Sequence, residues 1–248
     1  MSTIPTDRAE RLFSGPIGAE YEMLKLICPA AAAISLRVGE FVASLPARPT
    51  RPLELFEIGC GTGITTQALL EARPDLAITA VDNEPTMLAQ ARGNLSRFVD
   101  QGRVRLVEAD ALSGLRELPT ESVDVVASGY AVHNFLNGYR DRVLSEIFRV
   151  LRPGGLFVNG DRYGLDDDAE HTRLTQEEAR HYFKAFSAIG RYDLLEQWII
   201  HLFSDESADH LMRLGPALTK MRDIGFDPAE VHFRDGVNTL LTAAKPAA

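Results

Sequence analysis

Cysteine is scarce in this chain. The two present, Cys28 and Cys60, lie far apart, with no C-x-x-C pair and no histidine-rich neighbour, so a disulfide framework and a thiolate metal knuckle are both excluded. Basic charge is also in deficit. Lys and Arg number 26 against 35 Asp and Glu, a formal charge of −9, which argues against a protein that grips a nucleic-acid backbone through its surface field. No run approaches the roughly eighteen apolar residues needed to span a bilayer. Residues 1–12 carry Asp7, Arg8, Glu10 and Arg11 and lack the apolar core of a signal peptide. The expectation is a cytoplasmic protein with ordinary thiols, a monomer or homodimer, without a nucleic-acid or membrane partner and without a metal. Repeats and low-complexity tracts are missing too, so no solenoid is in question.

What remains is 248 residues with 45% hydrophobic content, enough for one sizeable core with appended elements. The chain is organised around residues 53–66, LELFEIGCGTGITT. Leu53 to Ile58 is short, apolar at most positions and bounded by Pro52 and Gly59, as a buried parallel strand is. Gly59, Gly61 and Gly63 then let the backbone turn sharply and bring bare amides, with Cys60 between them, against a ligand. Ile64, Ala68 and Leu69 open a helix whose N-terminus faces the same point.

A dinucleotide fingerprint would read G-x-G-x-x-G. This turn instead reads Glu57-x-Gly59-x-Gly61-x-Gly63, and a carboxylate before the turn repels phosphate but suits an amino-bearing ligand. That counts against an NAD-dependent dehydrogenase. The pattern resembles motif I of the class I S-adenosylmethionine (SAM) dependent methyltransferases. The resemblance implies that the glycine loop packs against the amino-acid part of SAM and that Glu57 contacts its ammonium.

The later strand ends extend the pattern. Leu76 to Val81 reads as a second strand ending at Asp82, about twenty residues past the turn, where a carboxylate accepts from both hydroxyls of an adenosine ribose. The resemblance places Asn83 and Met87, at the start of a helix from Pro85 to about Phe98, beside the adenosine; Met87 is equally at home in the core. Val104 to Ala109 is a third strand. After it Asp110 would accept from the adenine amine with the Ala111 amide facing a ring nitrogen, or simply cap a turn. Val123 to Ser128 is a fourth strand, so Ser128, Gly129 and Tyr130 should border the sulfonium and the incoming substrate. His133 is a general-base candidate for a hydroxyl or amine acceptor, or a brace for its loop. An Asn-Pro-Pro-Tyr or Asp-Pro-Pro-Tyr signature of nitrogen methylation is missing.

Tyr139 to Val150 has helical spacing of apolar residues. Leu151-Arg-Pro-Gly-Gly-Leu-Phe-Val158 is similar to the turn and fifth strand of the same family. Glu230 to Arg234 and Val237 to Ala243, separated by Asp235-Gly236, read as a hairpin. The predicted fold is α/β: a Rossmann-like seven-stranded methyltransferase sheet, mostly parallel with a terminal antiparallel hairpin, a helical N-terminal cap and a helical lid insertion. One domain, residues 1–248, then comprises a cap (1–48), a SAM-binding core (52–161), a lid (162–214), and a final helix with hairpin (215–248). Pro29 divides the cap into two helices expected to lie over the cofactor site, with Tyr21 either a ligand contact or a rim tyrosine. The lid's aromatic residues, Tyr163, Tyr182, Phe183, Phe186, Tyr192 and Trp198, either line an apolar acceptor pocket or form the lid's own core. Arg162, Arg191 and His201 are candidate anchors for an anionic group. Asp166 to Asp168 read as a helix cap or solvent-facing charges.

The expected activity is transfer of the methyl group of SAM to a small-molecule acceptor, releasing S-adenosylhomocysteine. A carboxy-SAM synthase is the alternative, since Arg191-Tyr-Asp-Leu-Leu-Glu196 is similar to the arginine-bearing insertion of that group with one extra residue. A catalytically silent SAM-fold binding protein is the other, and intact Glu57, Asp82 and Asp110 weigh against it.

Overall fold

The computed structural model describes residues 29–48 and 50–247; Tyr21 and Cys28 lie outside them. Seven strands form one sheet: β1 (Leu53–Ile58), β2 (Leu76–Asp82), β3 (Val104–Glu108), β4 (Val123–Gly129), β5 (Leu151–Arg162), β6 (Ala229–Asp235) and β7 (Asn238–Ala244). Their order is β3-β2-β1-β4-β5-β7-β6. The first five run parallel, and β7 lies antiparallel between β5 and β6. The helices are α1 (Pro29–Ser44), α2 (Ile64–Ala72), α3 (Pro85–Asn94), α4 (Ser96–Asp100), α5 (Ala111–Arg116), α6 (Asn137–Val150), α7 (Asp168–Ala188), α8 (Tyr192–Asp205) and α9 (Leu214–Ile224). The predicted sheet and closing hairpin are therefore present. Among the described residues no helix is long and apolar enough to cross a membrane.

Both faces of the central strands β1 and β4 are covered, which is why β1 is apolar at consecutive positions. Leu53 and Leu55 pack with Ile34, Val38 and Val42 of α1 and with Leu69 and Leu70 of α2. Phe56 and Ile58 point the other way, to Leu112 and Leu115 of α5 and Val143, Leu144 and Ile147 of α6. From β1 the chain builds outward through β2 and β3, then crosses to β4 and β5. The carboxyl ends of β1 and β4 thus flank the switch point where open sheets of this kind bind ligands.

Three local expectations change. Of the two helices expected before the core, the first lies outside the described residues; the second, α1, starts at Pro29 as predicted and packs as a layer on the sheet, where a Cβ on Gly160 of β5 would come within 2.6 Å of Val38 and 2.8 Å of Ile34. Its apolar face is spent on the sheet, and only its first residues reach the site. The helix expected from Pro85 to Phe98 breaks at Leu95 into α3 and α4. Arg152 to Gly155 is not a turn before the fifth strand but an irregularity within it. The β4–β5 register runs from Val123 opposite Leu151 to Val125 opposite Leu156, with Gly154 at φ 75° supplying the left-handed residue the extra length needs.

Residues 162–214 hold α7 and α8, which enclose a cluster of Tyr182, Phe186, Leu194, Leu195, Trp198 and Leu202, with Tyr130 packed against it. Tyr182, Phe186 and Trp198 are therefore the segment's own core. Phe183 and Tyr192 are exposed. Tyr163 is fully buried in the sheet core instead, its hydroxyl accepting from Asn159 Nδ2 at 2.7 Å. Asp167 caps α7 by accepting from the Glu170 amide at 2.8 Å, as the acidic run suggested.

Candidate active site

The glycine turn after β1 wraps around the carboxylate that ends β2. The Gly61 amide donates to Asp82 Oδ2 at 2.8 Å and the Glu84 amide to Oδ1 at 2.9 Å. A carboxylate has about four acceptor positions, so Asp82 retains capacity for further donors. Burial raises its pKa against the pull of those amides. Gly61 has φ 53°, and a Cβ built on it would meet nothing within 4 Å; the turn presents bare backbone to open space.

Glu57 is the unusual member. It is fully buried, and neither carboxylate oxygen has a hydrogen-bond partner among the described residues. Burial lifts its pKa to about 8, against the pull of the nearby Thr66 hydroxyl and with the charge of Asp82 adding to the rise. Buried polar atoms are ordinarily satisfied, so this carboxyl at the base of the turn is complementary to a cationic donor. Cys60 beside it is buried, and its thiol is pushed well above the ordinary range by burial, then by Glu57 and Asp82; it is packing, not a nucleophile.

Asp110 is committed to its own helix. It caps α5 by accepting from the Ser113 amide at 2.9 Å and the Ser113 hydroxyl at 2.5 Å, and it accepts from the Tyr139 hydroxyl at 2.8 Å. Burial raises its pKa, but these bonds outweigh it and leave the net shift downward. Ala111 and Met87 are buried and Asn83 half-buried. Ser128 is buried at the end of β4. A Cβ on Gly129 would fall on Thr65 Oγ1 of α2, so this glycine secures helix packing beside the cradle.

Beyond β4 the chain enters a 3₁₀ turn, Val132–Asn134, that carries His133. Its Nδ1 lies 2.5 Å from Asp161 Oδ1. Asp161, at the end of β5 and fully buried, also accepts from the amides of Val132 (2.9 Å), His133 (3.2 Å) and Arg162 (2.8 Å). One carboxylate thus fixes both the turn and the ring. Burial disfavours the His133 imidazolium, but the charge and hydrogen bond of Asp161 prevail and raise its pKa. Arg140 clamps the turn from outside by donating to the carbonyls of Val132, His133 and Phe135. Sequence reading missed Asp161. The signal was available, since it is a carboxylate at a strand end like Asp82.

Tyr130 links the cradle to a cavity of about 390 Å³. It follows Gly129, adopts φ 57°, places its ring edge-on to His133 with centroids 5.4 Å apart, and its hydroxyl donates to Asn238. The cavity is lined by Pro29 and Ala30 of α1, Glu178 and Tyr182 of α7, Arg162, and the β6–β7 turn. Of the predicted pocket residues, Tyr130 and Arg162 are there. Tyr163 is not, being core. Arg191 does not line it either; its guanidinium reaches back to Asp193 at 2.7 Å at the start of α8. Arg162 cannot serve as a free anion anchor, because Glu178 and Glu206 each hold it at 2.7 Å.

The seven-stranded sheet with its closing hairpin, the glycine turn and the carboxyl groups at successive strand ends have the class I SAM-dependent methyltransferase fold. Residues 56–159 match the methyltransferase domain family. The fold matches that of an O-methyltransferase family protein from Burkholderia thailandensis with a TM-score of 0.66 at 17% identity, covering 95% of this chain and 62% of that one. A carboxy-S-adenosyl-L-methionine synthase of Klebsiella pneumoniae is 23% identical over 186 residues, 73% of this chain and 70% of the relative. The Aeromonas salmonicida protein of the same name is 30% identical over 138 residues, 54% of each chain. These alignments therefore span about half to seven tenths of the relatives' lengths. The cofactor of this methyltransferase fold is SAM, and the residues present fit it: a buried carboxyl without a hydrogen-bond partner among the described residues, bare backbone at Gly61, and a strand-end carboxylate, Asp82, with acceptor capacity left.

Proposed function

We propose that this protein transfers a methyl group from SAM to a small-molecule acceptor held in the cavity beside Tyr130. The observation that carries the reading is Glu57, a fully buried carboxyl with no hydrogen-bond partner among the described residues, under a turn whose Gly61 faces open space. When bound, SAM supplies an electrophilic methyl on a sulfonium. The chain's residues do the rest. Glu57 receives the ammonium, Asp82 receives the ribose hydroxyls, and the buried walls of Ala111 and Met87 exclude water from the adenine end. Tyr130, just past the end of β4 and in the cavity wall, is where the acceptor atom is aligned and desolvated. His133, oriented by Asp161, takes the acceptor's proton where the acceptor carries one.

A second reading, modification of SAM to carboxy-SAM, is supported by the names of the Klebsiella and Aeromonas relatives. Arg191, paired with Asp193 and not among the described residues that line the cavity, gives it no help. Mass spectrometry of the small molecules released on denaturing the purified protein separates the two. SAM or S-adenosylhomocysteine, with methylation of a compound in an acceptor screen, supports the first. Carboxy-SAM would replace it with the second, and absence of binding to SAM, carboxy-SAM and S-adenosylhomocysteine in titrations would remove both.

A further inference from the structure

Under α8 lies a set of polar groups that methyl transfer does not require. His201 and Asp205 sit one turn apart on that helix, which puts both side chains on one face, and this face meets the 3₁₀ turn that carries His133. One ring nitrogen of each histidine and one carboxylate oxygen of Asp205 lie within 4.8 Å of one another, and all three residues are buried. Asp161 occupies Nδ1 of His133, leaving the other ring nitrogen for this cluster.

From this geometry we propose that His133, His201 and Asp205 bind a divalent first-row transition-metal ion. Two imidazoles and one carboxylate are a donor set that suits zinc or iron rather than magnesium or calcium, and three protein ligands leave positions open for water or an acceptor oxygen. The Asp161 carboxylate on the far nitrogen of His133 is the outer partner that metal-bound histidines ordinarily have, fixing tautomer and ring orientation.

An ordinary i,i+4 ion pair accounts for the cluster less well. His201 Nε2 and Asp205 Oδ2 are 3.7 Å apart, beyond hydrogen-bond distance. Asp205 Oδ1 has no hydrogen-bond partner among the described residues although the residue is only 8% exposed. A buried carboxylate oxygen left so is costly, and a cation between the three donors removes the cost. Donors around such an ion stand about 3.0–3.5 Å apart, so binding draws the three in from the 4.8 Å within which they lie.

With an ion in place, His133 would be a ligand and not a base, and the ion would supply Lewis acidity to a bound hydroxyl; the base role of His133 belongs to the metal-free protein. The proposal stands independently of the methyl-transfer reading, because metal binding and SAM binding are measured separately. The test uses the full chain without a histidine tag, stripped with EDTA, loaded with Zn2+ or Co2+ and desalted. Elemental analysis should find about one ion per chain, and Co2+ should give the visible d–d bands of a four- or five-coordinate site. Asp205→Asn and His201→Gln should lower Zn2+ affinity about a hundredfold or more while S-adenosylhomocysteine binding, the control for folding, stays unchanged. Wild-type protein that retains no ion, or variants that retain as much as wild type, would overturn the assignment.

Discussion

Replacing Glu57 by Gln should make the ligand-free protein more stable and a worse binder. The folded pKa is about 8 against an ordinary 4.5. Between those values the folded protein holds a proton that the unfolded chain has released. Stability therefore falls as pH rises, by about 1.4 kcal/mol per unit. The full stability is present below pH 4.5, about 3 kcal/mol of it is gone by pH 7, and the loss is complete above the folded value. Gln is isosteric with the protonated acid and does not titrate. Urea unfolding across this range should thus give nearly equal stabilities at the acid end, with the variant gaining steadily toward pH 8. Binding reverses the advantage. An ammonium beside Glu57 favours the carboxylate, so binding of S-adenosylhomocysteine to the wild type near pH 7 should release a proton, seen as a dependence of the calorimetric heat on buffer ionisation enthalpy. The variant should lose that release and bind about tenfold or more weakly. Identical pH slopes for the two proteins, together with no proton release, would refute the argument that an unpartnered acid waits under the turn.

Asp82→Ala should weaken S-adenosylhomocysteine by about tenfold or more, roughly 1.4 kcal/mol per decade, in titration calorimetry; an unchanged dissociation constant would sink the ribose assignment. In the metal-free protein, His133→Ala should lower kcat by about 10²–10⁴ for a proton-bearing acceptor. Because Asp161 raises the pKa of His133, the rate should climb with pH through that value, and Asp161→Asn should move the midpoint to lower pH, which the pH–rate profile reads directly. Gly129→Ala places a methyl on Thr65 Oγ1 and should cost about 1–3 kcal/mol by overpacking; adding Thr65→Ala should restore part of the urea midpoint, and no recovery would mean the strain lies elsewhere.

Much of the fold was legible because its signals are local. The apolar runs that end at Gly59 and Gly129 are strands buried on both faces and the run before Asp110 alternates as an edge strand, and the period and punctuation of a sequence report that directly. The break at Leu95 and the irregularity at Arg152–Gly155 were not legible. A helix pattern carried through Leu95, and a Pro-Gly-Gly run reads as a turn until the neighbouring strand supplies a register. The site divides the same way. Glu57, Asp82 and the glycines are held within one turn's reach of each other by adjacent strand ends, whereas Tyr163 and Arg191 depended on which way α7, α8 and the end of β5 faced.

By itself the sequence determined the sheet, its strand ends and the cradle between β1 and β2, since backbone preferences and burial of alternating faces act over a few residues. Only the tertiary structure decided which polar groups meet. Asp161 reaches His133 from a strand 28 positions away, and His201 and Asp205 arrive on a helix with no spacing relation to that turn. Such pairings are fixed by how packed elements exclude water and orient side chains, a property of the assembled core that no stretch of the chain carries alone.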